Sequence, residues 1–258
     1  MTNIYLARPD LSDAASVTGS TALGDMSLQN VQKKSLSRVY RTSDLSATIA
    51  IDLGAAQEID FCSIVAHNAT ASGTVTIKAG STDAVSDYTS GALDLITGND
   101  LGYELNSFAA SFTAQTYRYW QLEFSDASNP DSYLQIGRVY LSKAFTPTTN
   151  IDYGVEEGFS DQSRVSRTIS SEVISVDRDP FRVATFEMSF LSQDEAFTSL
   201  YEFDRLRGKK KDVVFVPDMS ETTHFQRRFI YGIFNEMNPI VNRAFRLYRK
   251  RYRIEEVK

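Results

Sequence analysis

Histidine occurs only twice in this 258-residue chain, at His67 and His224, and cysteine once, at Cys62. A Ser/His/Asp or Cys/His nucleophile needs its base within hydrogen-bond reach. Cys62 and His67 stand five residues apart on one expected strand and its exit, so their side chains leave on opposite faces. That spacing reads as a small core thiol and a loop histidine satisfying backbone groups beside Asn68. One cysteine and two separated histidines cannot close a zinc site. The Gly-Lys-Lys-Lys run at 208–211 lacks the upstream glycine of a phosphate loop and follows a helical pattern instead of opening one. The carboxylate pairs Asp126/Asp131 and Glu156/Glu157 have no apolar surroundings to raise one pKa, as a glycosidase requires. They read as turn and linker residues. Neither catalysis nor a cofactor is expected.

Binding is the remaining chemistry, and two features bear on it. Trp120 could stack a sugar, but it shares a strand face with Leu122 and Phe124, the pattern of a core residue. A sugar site then belongs on loops at one end of a sandwich, with 67–73, 81–91 and 126–132 as candidates. Arg249, Arg251 and Arg253 alternate with Lys250, Tyr252 and Ile254. If Tyr252 and Ile254 face inward, the arginines project from the other face about 7 Å apart. They could meet carboxylates of a neighbouring subunit by bidentate pairing, or form a solvated edge that discourages aggregation. Both readings stay open. Nucleic-acid binding would want a broader basic domain.

The elements that would hold these groups are mostly strands. Ile49, Ile51 and Leu53 alternate with polar or small residues, as do Val75, Ile77 and Ala79. Residues 59–66 are more continuously apolar, interrupted by Asp60 and Ser63, as expected of a strand covered on both faces. The first 40 residues are weakly patterned and read as an irregular, wrapped segment. Residues 146–160 mix Pro, Gly, Thr and acidic residues without periodicity and read as a linker between bodies at 1–145 and 161–258. Beyond it, Ala184, Phe186, Met188 and Phe190 mark one strand face, and Phe225, Phe229, Tyr231 and Ile233 another. Ser192 and Glu195 fit a capping box that opens a single helix over 193–207, closed by Gly208. The last strand changes phase between Phe245/Leu247 and Tyr252/Ile254, which a bulge near Leu247–Tyr248 would reconcile.

Composition agrees with two globular bodies. Hydrophobic residues make up 42% and charged residues 23% of the chain. No apolar run approaches the roughly 20 residues of a membrane-spanning helix, and no basic-then-apolar leader opens the chain, so synthesis in a cytoplasm is expected. The net charge of −6 sits wholly in residues 1–150, which hold nine basic and fifteen acidic residues.

Two stretches carry family resemblances. Ala47-Thr-Ile-Ala-Ile-Asp-Leu-Gly54 and the run from Tyr117 to Leu141 resemble elements of discoidin-like domains (factor 5/8 type C, galactose-binding-like) in the right order. This implies a β-sandwich jelly roll over 1–145 and, in such domains, the possibility of calcium on the acidic loop Asp126–Asp131; no EF-hand-like spacing supports that ion. Gly158–Ile169, Asp177–Arg182 and Arg205–Pro217 resemble segments of tail-tip and distal-tail proteins of long-tailed phages and gene-transfer particles. That likeness implies a mainly β chain whose second body is a tail-tube-like β-sandwich with one flanking helix. It also implies a structural virion protein of a tail tip or baseplate, in a homo-oligomeric ring with other tail proteins. The alternatives are a host-surface glycan-binding protein and a cell-wall or capsule glycan hydrolase.

Overall fold

The computed structural model describes residues 3–98 and 106–258. Alternating apolar and polar residues build one antiparallel sheet in the first half around two long strands. Ser46–His67 pairs with Asn106–Ser125 from end to end, Ser46 opposite Ser125 and His67 opposite Asn106. Ser16–Gly19 flanks the start of Ser46–His67, and Arg138–Ser142 flanks its far end. Thr74–Gly80 and then Tyr88–Asp94 extend the other side. The register shifts between Asp52 and Gln57, where Gly54 takes a φ of +76° that only glycine adopts cheaply. Such a break bends a strand, so one strand serves both halves of a curled sheet. Inside the curl Ile49, Ile51, Ile77, Trp120, Leu122 and Phe124 pack with Cys62, Ile64 and Leu141 in one core.

The second half forms a seven-stranded antiparallel sheet. Its order is Tyr5–Ala7, Asp212–Val216, Ile230–Phe234, Leu247–Glu256, Phe181–Leu191, Glu156–Ser160, with Val241–Ala244 pairing Leu247–Glu256. The hydrogen bonding thus crosses the sequence division expected near 146–160. Tyr5–Ala7 from the chain's start adds to the second sheet, Tyr5 opposite Val216, and Glu156–Ser160 from the expected linker is its far edge.

The capping box is present: the Glu195 amide donates to Ser192 Oγ at 3.2 Å, and the Ser192 amide donates to Glu195 Oε2 at 2.8 Å. The helix it opens starts as a wide π turn over Glu195–Leu200 and continues as an α-helix over Tyr201–Arg207. Ala196, Leu200 and Phe203 bury against the sheet.

Two sequence expectations change. Residues 225–228 form a helical turn, so the strand begins only at Ile230, and Phe225 and Phe229 pack at the seam between the two sheets. The register does break at Leu247–Tyr248, but the extra residues stand on the strands to either side, between Met188 and Leu191 and between Asn242 and Ala244. The one before Leu191 swaps the inward parity, so Leu191 is buried and Phe190 exposed. Phe245 and Leu247, read as one strand face, are also exposed.

The mostly apolar run at 59–66 is covered on both sides. Cys62 and Ile64 face the first core, while Phe61 and Val65 pack with Val214, Val216 and Tyr231 of the second sheet and with Phe225 of the helical turn. Across this apolar seam runs one buried ionic cluster. Arg138 is 1% exposed. Its guanidinium donates to Asp212 Oδ2 at 2.9 and 3.0 Å and to the two Asp13 oxygens at 2.5 and 2.8 Å. The Tyr140 hydroxyl donates to Asp212 at 2.6 Å. Burial by itself would raise the Asp212 carboxyl, but Arg138 and Tyr140 outweigh it and hold the group below the ordinary carboxylate range. Removing one partner of such a pair leaves the other as an uncompensated buried charge. Asp212→Asn is therefore expected to lower stability by about 3 kcal/mol, measured from the urea midpoint. A loss below about 1 kcal/mol would show that the cluster is dispensable to the seam.

Candidate functional site

Cys62, His67 and the Glu156/Glu157 pair each have packing or partners within the fold. His67 is buried, its Nδ1 accepts the Ala69 amide at 3.3 Å, and burial pushes its pKa down to about 4. Cys62 is buried in the first core, which pushes its thiol up. Glu157 pairs with Arg228 at 3.1 Å, and Glu156 lies 4.0 Å from Arg251. Among the described residues no group of three His, Cys, Asp or Glu could hold a metal.

Two of the three loops proposed for a sugar close on each other. Asp126 is buried and accepts the Thr70 amide and hydroxyl, both at 2.7 Å, and Asn129 Nδ2 at 3.2 Å. Asp131 accepts Asn68 Nδ2 at 2.8 Å. These carboxylates fasten loop 67–73 to loop 126–132.

The third loop does something different. Residues 81–87 turn back over the outer face of the first sheet, held by the Ser81 amide and hydroxyl donating to Asp87 at 2.8 Å. Gly80 permits the return: a Cβ there would stand 2.8 Å from the Val85 Cα. Between loop and sheet lies a groove of about 240 Å³. Strand register sets its lining. Thr18 lies opposite Ala50, which lies opposite Gln121, and Ser16 lies opposite Asp52, which lies opposite Tyr119. Directly opposed residues share a face, so hydroxyls, a carboxylate, an amide and an aromatic ring converge, with Asp83 supplied by the loop. Asp52 accepts a two-pronged bond from Arg118 at 2.7 and 2.8 Å and the Gly54 amide at 2.8 Å, which together pull its pKa down to about 2. The Arg118 guanidinium lies 4.8 Å from the centre of the Tyr119 ring. The groove thus offers a half-buried aromatic beside a fixed anion with its cation, suited to hold a polyol by its hydroxyls and its apolar face.

Trp120 is fully buried, as its phase with Leu122 and Phe124 requires; the aromatic at the surface is Tyr119, its neighbour of opposite parity. Parity alone could have found it. The fold back of 81–87, which turns a flat strand face into a groove, left no motif to read.

The arginine row stands on its expected face, with Lys250, Tyr252 and Ile254 buried behind it. Each arginine has a carboxylate within its own chain. Arg249 lies 3.5 Å from Glu187, Arg251 lies 4.0 Å from Glu156, and Arg253 lies 3.5 Å from Glu255.

Solved structures overlap about half of this chain. The chitosan-binding module 1 of a chitosanase/glucanase from Paenibacillus sp. IK-5 is 15% identical, with a TM-score of 0.39 over 52% of this chain and 98% of the module. The CBM32 of AlyQ, in complex with 4,5-unsaturated mannuronic acid, is 24% identical, with a TM-score of 0.37 over 49% and 93%. The lectin domain of lectinolysin, complexed with Lewis B antigen, is 14% identical, with a TM-score of 0.40 over 52% and 98%. At these scores the likenesses decide nothing about what this chain binds. Neither a protein-family model nor a curated protein matches it.

His67 makes stability depend on pH. Its pKa falls from 6.5 to about 4 on folding, so between those values the unfolded chain binds the extra proton. Its contribution is intact above pH 6.5, declines as pH falls toward 4, and changes no further below that. Stability at pH 5 is expected to be about 2 kcal/mol below that at pH 7 from this group alone. Urea unfolding of His67→Gln at both pH values checks it: the difference should shrink by that amount.

Proposed function

We propose that the chain is a non-catalytic binding protein whose first body takes a saccharide in the groove beside Tyr119. The lining carries this reading. A ring edge packs against the apolar face of a sugar, while Ser16, Thr18, Asp52 and Gln121 can exchange hydrogen bonds with its hydroxyls. Of the groove's two carboxylates, Asp52 is tied to Arg118 and the Gly54 amide and Asp83 stands exposed on the loop, so no free pair faces across an enclosed cleft as a glycosidase needs. That is the reason the reading is binding and not hydrolysis.

A second reading is favoured by a separate observation. Among the described residues, every large apolar side chain that stays exposed, apart from Leu23, lies between Tyr153 and Leu247. A surface so divided suits a chain whose second body docks in an assembly while the first remains solvated. In its sharpest form this is a ring-forming structural component of a phage tail tip or baseplate, made in the host cytoplasm and carried in the particle. The two readings are compatible, since copies held in a ring would multiply weak sugar contacts.

Titration with chitosan oligosaccharides, unsaturated mannuronate and Lewis B antigen, followed by ligand-observed NMR, tests the first reading. One class should give a saturable signal, and Tyr119→Ala should weaken it about tenfold, the size of one lost aromatic contact. A signal that Tyr119→Ala leaves unchanged places the sugar elsewhere. Reducing ends released from peptidoglycan or capsule would overturn the non-catalytic reading.

A further inference from the structure

Beyond its base strands the second body extends a two-stranded ribbon with no core of its own. Arg164–Arg167 pairs with Val173–Val176, the Arg178 amide donates to Ser163 Oγ at 2.8 Å, and Ser171 turns the tip with a φ of +65°. From Ser160 to Ile169 the ribbon reaches about 30 Å. Every residue of its two strands is exposed, and Ile169 at the tip is 108% exposed. Register places Ile174 and Val176 on one face and Val165 and Val173 on the other. An isolated two-stranded ribbon is marginal in water, and one with branched apolar residues on both faces calls for a covering partner.

The same chain carries a second uncovered apolar projection. The hairpin formed by Val241–Ala244 and the start of Leu247–Glu256 exposes Val241, Leu247 and, at its turn, Phe245, which is 88% exposed. Beside it lie Phe190, thrown outward by the bulge, and Phe197 and Tyr201 of the helix. Ribbon and hairpin stand at opposite ends of the strand Phe181–Leu191: Ser160 is paired at Phe181, Tyr248 at Leu191. Eleven residues of strand separate them by roughly 33 Å, and the ribbon leaves from the far end. Their charges are complementary. The ribbon and its stem, residues 161–179, hold four acidic and three basic residues, and residues 241–249 hold three basic and none acidic. Among the described residues, Asp161, Glu172, Asp177 and Asp179 have no cation paired to them, while Arg243 and Arg246 have only the rings of Phe190 and Phe245 beneath them.

We propose that the ribbon of one copy docks on the 241–249 hairpin of a second copy of this chain. The two surfaces differ, so the contact is head-to-tail. It closes into a ring if the rotation between copies allows, and otherwise extends as a filament. Arg243 and Arg246 meet the ribbon's carboxylates, while Phe245 and Phe190 cover its valines and isoleucines. The arginine row at 249, 251 and 253, already answered by Glu187, Glu156 and Glu255, flanks this contact instead of forming it. The inference rests on the second body's surface and not on the saccharide groove.

Sedimentation of the full chain tests it with two variants, one with the ribbon altered (Ile174→Asp and Val176→Asp) and one with the hairpin altered (Arg243→Glu and Phe245→Asp). All four positions are exposed and outside both cores, so the melting temperature should hold in each. The unaltered chain should sediment as a multiple of its own mass, each variant as a monomer, and their equimolar mixture as a dimer, because one supplies an intact ribbon and the other an intact hairpin. A monomeric unaltered chain, or a ribbon variant that keeps the unaltered mass, overturns the proposal, as does a mixture that stays monomeric. Tyr119→Ala should leave every one of these masses unchanged, which separates this outcome from the fate of the groove.

Discussion

The arrangement of this protein depends on one desolvated cation. Arg138 leaves the first sheet, is almost completely excluded from water, and finds its charge balanced by Asp13 and by Asp212 of the second sheet. A guanidinium in such a place is tolerable only when its donors are matched, and here five hydrogen bonds do so, including one to the Val31 carbonyl at 3.2 Å. The geometry leaves little room to slide one sheet across the other, because the planar fork demands both carboxylates at fixed angles. Apolar contacts around Phe61, Val65 and Tyr231 supply area, but they are not directional. Register at the seam is therefore an electrostatic property laid over a hydrophobic one.

With the bodies fixed, the two kinds of surface are kept apart. The first body carries the whole net charge and turns polar strand faces outward, and its groove is made by folding a loop back over such a face. The second body is neutral overall and leaves aromatic and branched residues in water. Each surface would be a liability in the other's place. A polar groove needs solvent around it to exchange ligand, whereas bare apolar projections are tolerable only when something covers them.

Much of the fold could be read from residue order, and the misses share a cause. Period-two alternation located Ile49–Leu53, Val75–Ala79 and Trp120–Phe124, and the mostly apolar run at 59–66 signalled a strand covered twice, because each of these is a local consequence of burial. The Ser192/Glu195 pair identified a helix start for the same reason. What failed was set at a distance. The strand Tyr5–Ala7 has no local sign that its partner is Asp212–Val216, since the pairing is decided by where the seam lies. The bulge between Met188 and Leu191 shifted to the strand next to the one whose phase change announced it. The groove was hidden because Asp52, Arg118 and Tyr119 are unremarkable apart, and loop 81–87, Ser-Thr-Asp-Ala-Val-Ser-Asp, carries no motif.

The pairing of Tyr5 with Val216 also bears on how the molecule comes into being. The segment Tyr5–Ala7 has no sheet to join until more than two hundred further residues have been made. The edge of the second sheet therefore closes through a highly non-local pairing, a kind of contact that forms slowly.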